Sequence, residues 1–425
     1  MQVVIEKIVY PGRRLATHRG KAVFTDEGLA GELIEAEPVL EKKNYIEART
    51  VKILKESDKR VKPRCAHYLA CSAYQSMLYD HQIETKKSQL REIMAELDDF
   101  DENAIELVPS SKIWHYRNKV RFHVMWAGGK AYPAYNVPGS REKFVKIGEC
   151  HLVAESVSEL LSALLRIISE KQMRSLQDVE ARVGRAKNEL LLNLYWKSVC
   201  EPKSLDLILS GLLPRFPLAG IVSLQKYKAG YKEITEWGRN FIEEKIGPAL
   251  FYVGAQSFFQ VNPEMLETVI GDIKNLAAFR GTELLGDLYC GLGTFGIILA
   301  REVKEVYGVE SDPASVSFLK KNIDLNRAGN FKIFEGPIEE WASRILEKKM
   351  EVLILDPPRK GLGPGLVREL LKNPTPLVIY LSCNPATLAR DLKELQSAYK
   401  IKAIRAYDFF PHTPHIETLA FLEGK

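Results

Sequence analysis

Two reactive side chains lie near the carboxyl-terminal end of the chain. Cys383 is part of the sequence SCNP at 382–385, and Glu417 is part of HIE at 415–417. A thiolate is a strong nucleophile, and a carboxylate can act as a general base. Each residue taken alone also fits a plainer role, a buried small side chain for the cysteine and an edge-strand acid for the glutamate. The position of Cys383, after an apolar strand and before Asn-Pro, favours the nucleophile.

A glycine-rich segment, DLYCGLGTFG at 287–296, follows another predicted strand and opens a helix. Gly291, Gly293 and Gly296 have the G-x-G-x-x-G spacing, which lets the backbone turn tightly and approach a ligand closely. Glu310 ends the next strand, 19 residues after Gly291, where a carboxylate can accept hydrogen bonds from ribose hydroxyls. The pattern predicts a nucleotide-type cofactor and by itself does not separate NAD from S-adenosylmethionine.

A third motif, Asp356-Pro-Pro-Arg359, ends a later strand. The two prolines stiffen the backbone at that point and remove two hydrogen-bond donors. The alternative is a plain strand-ending turn. Because a glycine-rich loop precedes it, we interpret the motif as a rigid edge of the ligand crevice.

These motifs require a sheet that brings strand ends together. From residue 254 onward short apolar strands alternate with helical stretches, which predicts an α/β doubly wound, Rossmann-like domain over 254–425. Residues 1–57 read as four or five short strands, typical of a small OB-like β-barrel. Between them, an amphipathic helix over 76–97 and mixed strands and helices predict a central α+β domain over 58–253, whose boundary with the third domain can be discontinuous.

Composition and charge limit the class of protein and the kind of partner. The chain has 425 residues and six cysteines, too few for a disulfide scaffold. It shows no export signal or apolar run of spanning length, so we expect a cytoplasmic protein. Residues 1–64 carry a net charge of +4 and residues 110–150 a net charge of +6, out of a total of +5. This excess predicts a polyanion partner, or else an unevenly charged surface. A basic tail follows the barrel, comprising Lys55, Lys59, Arg60, Lys62 and Arg64.

Taken together, the motifs resemble the RNA uracil-C5 methyltransferases, and the resemblance spans nearly the whole chain. Residues 1–57 resemble the TRAM domain, an RNA-binding barrel often fused to this family. The segments that carry the resemblance are YRNKVRFHV at 116–124, SFFQVNP at 257–263, GDLYCGLGTFG at 286–296, VESDPASV at 309–316, LDPPRKGLG at 355–363, LSCNPATLARDL at 381–392 and FFPHTPHIE at 409–417.

The resemblance implies a role for each matching residue. Cys383 matches the family nucleophile and Glu417 the general base. Phe258 matches an aromatic side chain beside the flipped base, and Arg359 and Asn384 lie next to the chemistry. The positions that contact S-adenosylmethionine match Gln260, Tyr289, Gly291, Glu310 and Asp356.

The implied reaction is methyl transfer from S-adenosylmethionine to C5 of a flipped-out uridine in structured RNA, through a covalent bond between Cys383 and C6. Uracil is favoured over cytosine because the related cytosine enzymes carry a cysteine in the motif that corresponds to Asp356–Arg359. Uridine 54 of tRNA is the favoured target and a 23S rRNA uridine the alternative. We expect a monomer with no membrane partner. From other classes, a non-catalytic RNA-binding protein and, more remotely, an NAD oxidoreductase stay open.

Two positions depart from the family pattern. Many members hold a 4Fe-4S cluster through Cys-x5-Cys-x2-Cys and a distant cysteine. Cys65 and Cys71 match the first two ligands and Cys150 the distant one, but Tyr74 occupies the position of the third cysteine. Since four thiolates are the usual set, we expect an unusual fourth ligand, a smaller cluster, a Cys65–Cys71 pair or free thiols, with no cluster slightly favoured. Pro337 stands where the family often has an acid, which puts adenine contacts there in doubt.

Overall fold

The amino-terminal strands close into a small barrel. The computed structural model describes residues 1–98, 100–140, 142–197, 202–227 and 230–425. In the barrel, strands alternate buried and exposed residues around an aliphatic core that includes Val3, Ile5, Val23 and Ile34. The barrel strands, closed in the order β1-β2-β3-β5-β4, are β1 (Gln2–Val9), β2 (Arg13–His18), β3 (Lys21–Thr25), β4 (Leu33–Glu41) and β5 (Tyr45–Lys55). This confirms the predicted small β-barrel.

The central sheet has the order β13-β12-β11-β10-β7-β8-β9 in the described part of the chain. Two amphipathic helices, α3 (Glu155–Glu170) and α4 (Pro202–Leu212), bury apolar side chains in the same core as this sheet. Its strands are β7 (Lys119–Ala127), β8 (Lys130–Asn136), β9 (Phe144–Lys146), β10 (Leu176–Gly184), β11 (Glu189–Trp196), β12 (Leu218–Tyr227) and β13 (Gly230–Gly238). A separate hairpin of β14 (Phe241–Ile246) and β15 (Ala249–Gly254) leads toward the carboxyl-terminal part.

The segment between the barrel and the central sheet packs against the carboxyl-terminal sheet. It contains α1 (Tyr68–Cys71), α2 (Tyr79–Met94), a 3-10 helix (Glu102–Ala104) and β6 (Glu106–Val108). Leu90 and Met94 of α2 are fully buried in one of the cores of the carboxyl-terminal sheet, and β6 pairs in parallel with a strand of that sheet. Part of the 58–253 segment, α2 and β6, therefore packs with the carboxyl-terminal sheet and not with the central sheet. The domain limits at residues 57 and 253 stay predictions.

The carboxyl-terminal sheet (called the C-terminal sheet below) has the order β18-β17-β16-β19-β20-β22-β21-β6 among the described residues. Its strands are β16 (Leu284–Leu288), β17 (Glu305–Glu310), β18 (Phe331–Glu335), β19 (Val352–Leu355), β20 (Leu377–Ser382), β21 (Tyr399–Tyr407) and β22 (Glu417–Gly424). The helices around it are α5 (Pro263–Ala277), α6 (Thr294–Leu299), α7 (Pro313–Asn326), α8 (Ile338–Leu346), α9 (Pro364–Lys372) and α10 (Pro385–Leu395). Two apolar cores cover its faces, which confirms the predicted doubly wound α/β fold.

The strand order of the C-terminal sheet reverses between β16 and β19. From β16 the chain runs outward through β17 to β18, and from β19 it runs the other way through β20. Because β16, β17, β19 and β20 are parallel, their carboxyl ends meet at one edge. In open α/β sheets a ligand crevice forms at such a reversal point. No helix in the described ranges is long and apolar enough to cross a membrane.

Candidate active site

The predicted residues collect at the reversal point of the C-terminal sheet. Tyr289 follows β16, Glu310 is the last residue of β17, Asp356 follows β19 and Cys383 follows β20. Glu417 is the first residue of β22, which runs antiparallel to β20, so its amino end lies at this same edge. The fold therefore brings five residues from separate motifs to one crevice.

Glu310 organises the glycine loop. Its Oε2 accepts a hydrogen bond from the Gly291 amide at 2.9 Å, and its Oε1 accepts from the amides of Ser311 and Asp312 at 2.7 Å each. Gly291 has φ of +56°, and a Cβ there would meet no atom within 4 Å. The loop thus presents open space beside a fixed carboxylate that keeps unused lone pairs, which fits the ribose of an adenosyl ligand.

Asp287, which the sequence analysis quoted in the glycine motif but did not single out, holds the other side of that loop. The residue is 1% exposed, and its Oδ2 accepts a hydrogen bond from the Gly296 amide at 2.8 Å. Its Oδ1 has no hydrogen-bond partner among the described residues. Burial raises the pKa of Asp287 to about 7, with the nearby charges of Asp356 and Glu310 adding to the effect. In the sequence, the sign of this role is an acidic residue within an apolar strand directly before the glycine-rich loop.

The strand register sets Cys383 opposite Glu417. The last paired residues of β20 and β22 are Ser382 and Thr418. Continued one step beyond these paired residues, the ladder places Cys383 next to Glu417, and the Glu417 charge is close enough to raise the pKa of the Cys383 thiol. Neither sequence motif contains this proximity, because it depends on how two segments 34 residues apart in the sequence align.

The two neighbouring side chains share one electrostatic environment. Burial raises the pKa of the Cys383 thiol, and the Glu417 carboxylate raises it further. Burial likewise raises the pKa of Glu417, which is 3% exposed, well above its ordinary value. The Arg359 guanidinium lowers the pKa of both groups. Arg359 is therefore the cation whose field favours a thiolate at 383 and a carboxylate at 417.

Asn384, the residue after Cys383, is hydrogen-bonded to the loop that contains Arg359. It is the N-cap of α10, with its Oδ1 accepting from the Ala386 amide at 3.3 Å. Its Nδ2 donates to the backbone oxygen of Arg359 at 3.2 Å, and the Thr387 hydroxyl donates to the same oxygen at 3.3 Å. Asp356 at the start of this loop is partly buried, and burial raises its pKa to about 7. These hydrogen bonds fix the loop that contains Arg359 next to Cys383 and Glu417.

A further loop, residues 255–262, carries Phe258 and Gln260 between β15 and α5. Phe258 is 72% exposed, whereas its neighbour Phe259 is buried in a core of the C-terminal sheet. The Asn262 side chain donates to the backbone oxygen of Phe409 at 3.1 Å, which ties this loop to the segment leading to Glu417. An exposed aromatic side chain on an anchored loop is suited to stacking on a base.

The basic tail after the barrel is only partly available to a polyanion. Arg60 forms ion pairs with two barrel residues, Glu32 at 2.6 Å and Glu27 at 3.2 Å, and its side chain is 9% exposed. Lys59 and Lys62 are exposed, although Lys59 also lies 3.0 Å from Asp58. A buried ion pair holds the Arg60 guanidinium in place, so Arg60 is less available to a polyanion than Lys59 and Lys62.

The cysteines of the predicted cluster do not make a four-thiolate site. Cys65, Cys71 and Cys150 are free thiols. Within the described ranges, three or more His, Cys, Asp or Glu side chains nowhere form a group that could hold a metal ion. The Tyr74 side chain is fully buried, and its hydroxyl is 2.9 Å from Nε2 of Gln89 on α2. The donor set therefore does not fit a 4Fe-4S cluster.

Known proteins resemble this chain over most of its length. The model of the tRNA (uracil-5-)-methyltransferase family matches residues 78–425. An uncharacterized RNA methyltransferase of Halalkalibacterium halodurans is 32% identical over 450 positions, covering 100% of this chain and 97% of the relative. One from Aquifex aeolicus is 31% identical, covering 100% and 99%. The crystal structure of the Pyrococcus abyssi tRNA (uracil-54, C5)-methyltransferase in complex with S-adenosyl-L-homocysteine superposes with a TM-score of 0.78 at 28% identity, covering 99% of this chain and 100% of that one.

Proposed function

Because the chain belongs to the tRNA (uracil-5-)-methyltransferase family and is an S-adenosylmethionine-dependent RNA methyltransferase, we propose that it methylates C5 of uridine 54 in tRNA through a covalent enzyme–RNA adduct. The observation that supports the mechanism is that Cys383 directly follows β20 and Glu417 begins the neighbouring β22, close enough for the Glu417 charge to raise the pKa of the thiol. The proposed substrate rests on the activity of the Pyrococcus abyssi neighbour, a tRNA (uracil-54, C5)-methyltransferase.

The chemistry needs a nucleophile because C5 of uracil is weakly reactive at neutral pH. The Cys383 sulfur adds to C6, and the electrons of the C5–C6 double bond give C5 carbanion character with negative charge on O4. The adduct divides one difficult step into easier ones. Arg359, whose charge lowers the thiol pKa, supports the thiolate that begins the reaction.

The cofactor supplies a methyl group that its positive sulfonium makes electrophilic. On the protein side, the glycine loop held by Glu310 and Asp287 binds and orients it at the carboxyl end of β16. Tyr289, Asp356 and Gln260 are the other proposed contacts. Holding the donor and the target base in one crevice replaces a bimolecular encounter with a positioned one.

The final step needs a base. Once C5 carries both a methyl group and its original proton, Glu417 takes that proton, and the C6–S bond breaks to restore the C5–C6 double bond and release the Cys383 thiolate. Glu417 must be ionised for this, and its raised pKa makes it a stronger base than an exposed glutamate. Phe258 is proposed to stack beside the base that has left the RNA stack.

The experiment is a methylation assay with labelled S-adenosylmethionine. Unmodified tRNA and naked 23S rRNA fragments serve as the two substrates, and tRNA carrying cytidine in place of uridine 54 serves as the matched control. We expect label in tRNA that disappears in the control. Methylation of rRNA alone would move the target to rRNA, and methylation of neither RNA would contradict the proposed activity.

A further inference from the structure

The barrel touches the loop that leads to Glu417. The turn between β1 and β2 contains Gly12, whose φ is +99°. A Cβ at Gly12 would lie 2.8 Å from Cβ of Pro414, three residues before Glu417. This contact is so close that only glycine fits without a shift. The turn of the RNA-binding barrel therefore lies directly against the active-site loop.

The turn is fixed in this position by a buried arginine. Arg14 is 2% exposed, and its guanidinium donates to three backbone oxygens, those of Gly12 at 2.6 Å, Gly28 at 3.1 Å and Ala73 at 3.0 Å. Two of these oxygens belong to the barrel and the third to the segment before α2. A planar guanidinium that binds three carbonyls leaves the turn little freedom to move.

Tyr74 and α2 complete the junction. The Tyr74 amide donates to the backbone oxygen of His412 at 3.0 Å, within the loop that precedes Glu417. Gln89 of α2, which contacts the Tyr74 hydroxyl, also donates to the backbone oxygen of Ile8 at 2.8 Å, two residues before Tyr10. Barrel, helix and active-site loop thus form one hydrogen-bonded unit.

Tyr10 is the side chain that this junction places beside the reactive pair. It is half-buried and packs against the core that contains Ile416, next to Glu417. Its hydroxyl makes no hydrogen bond with the residues that the structure describes. Burial raises the pKa of Tyr10, with Arg359 lowering it and Cys383 and Glu417 raising it, so the hydroxyl lies within reach of the fields of all three groups. Tyr10 is therefore a neutral donor at physiological pH, and its proton is not engaged by these residues.

We propose that the barrel contributes Tyr10 to the uracil site, where its hydroxyl donates a hydrogen bond to the carbonyl oxygen of the target base. The proposal rests on the proposed function. When the Cys383 sulfur bonds to C6, the electron pair of the C5–C6 double bond moves toward C4 and negative charge grows on O4. Tyr10 keeps its proton and stabilises that charge until C5 uses the electron pair to bond the methyl group, which restores the neutral carbonyl. When Glu417 later removes the C5 proton, the C5–H electrons re-form the double bond and the thiolate leaves with the C6–S electrons. A fixed donor aimed at a developing charge contributes more than one that must reorganise.

The test compares Tyr10→Phe with Tyr45→Phe. Tyr45 is a half-buried barrel tyrosine that packs edge-on against Phe24, away from the reactive pair, so it is a matched control for loss of one hydroxyl. On whichever RNA the wild-type enzyme methylates, we expect Tyr10→Phe to lower kcat by about 100- to 1,000-fold, as for one lost oxyanion donor. We expect the KM for RNA and the thermal unfolding midpoint to stay near wild type, and Tyr45→Phe to match wild type throughout.

A single-turnover measurement isolates the step itself. RNA with 5-fluorouridine at the target traps the adduct, because fluorine cannot leave C5 as a cation. Tyr10→Phe should slow adduct formation by the same factor as kcat. If Tyr10 only docks the barrel, the KM or the unfolding midpoint changes and the adduct rate does not, which overturns the proposal. An inactive wild-type enzyme would overturn the proposed function instead, so the two failures are distinguishable.

Discussion

Replacing Glu417 with glutamine should stop the reaction after methyl transfer. Glutamine keeps the size of the side chain and cannot accept the C5 proton as a base. Addition of Cys383 and methyl transfer to C5 do not need that base. The variant should therefore accumulate RNA that is methylated and still bonded to the protein through sulfur.

The magnitude follows from the position of Glu417. It is 3% exposed at the start of β22 and lies next to Cys383, so water has poor access to the C5 proton in its absence. Loss of a positioned base typically slows proton transfer by about 10²–10⁴-fold. That factor corresponds to about 2.7–5.4 kcal/mol of transition-state stabilisation, enough to make elimination the slow step.

The assay uses RNA labelled with tritium at C5 of uridine and S-adenosylmethionine labelled with carbon-14. Wild-type enzyme should release tritium as it incorporates carbon-14. Glu417→Gln should incorporate about one methyl group per enzyme, retain the tritium and run as an adduct in denaturing electrophoresis. Glu423→Gln is the matched control, because this exposed residue lies on the same strand and pairs with Lys402 at 2.8 Å. If Glu417→Gln turns over and releases tritium normally, the base lies elsewhere and Glu417 is only an edge-strand acid.

Three other predictions follow from the site and its surroundings. Removing the charges of Lys59 and Lys62 should reduce the slope of log affinity against log salt by about 0.7–0.9 per lysine that contacts a phosphate, measured by RNA titration with Lys304→Ala as control, and an unchanged slope would exclude these contacts. Protein purified without oxygen should lack stoichiometric iron and sulfide yet be fully active, whereas a four-iron cluster would show that another residue supplies the fourth ligand. Glu310→Ala should raise the KM for S-adenosylmethionine by about 10- to 100-fold, the loss expected for charged hydrogen bonds, and an unchanged KM would refute its role.

The motifs predicted which residues lie together because strand ends in a parallel sheet share one edge. Tyr289, Asp356 and Cys383 each follow a strand of the C-terminal sheet, and the sequence shows both the strands and the polar residues after them. Apolar runs and glycine spacing are local signals, so they identify such elements reliably.

Contacts between segments far apart in the chain could not be predicted from local sequence patterns. Arg60 looks like any exposed basic residue until the fold pairs it with Glu32, 28 residues earlier in the chain. The same holds for β6, whose three residues give too short a pattern to predict, and which pairs with β21 almost 300 residues later. The position of Tyr10 beside Glu417 depends on the docking of a whole barrel, for which no local pattern exists.

The covalent step by Cys383 is tested most directly by intact mass measurement on tRNA with 5-fluorouridine at position 54. With S-adenosylmethionine present, the wild-type protein should gain the mass of the RNA plus one methyl group, and the bond should map to the peptide that contains Cys383. Cys383→Ala should show no adduct and no methylation of ordinary tRNA. Methylation of uridine by Cys383→Ala, or an adduct that maps to another residue, would contradict the mechanism.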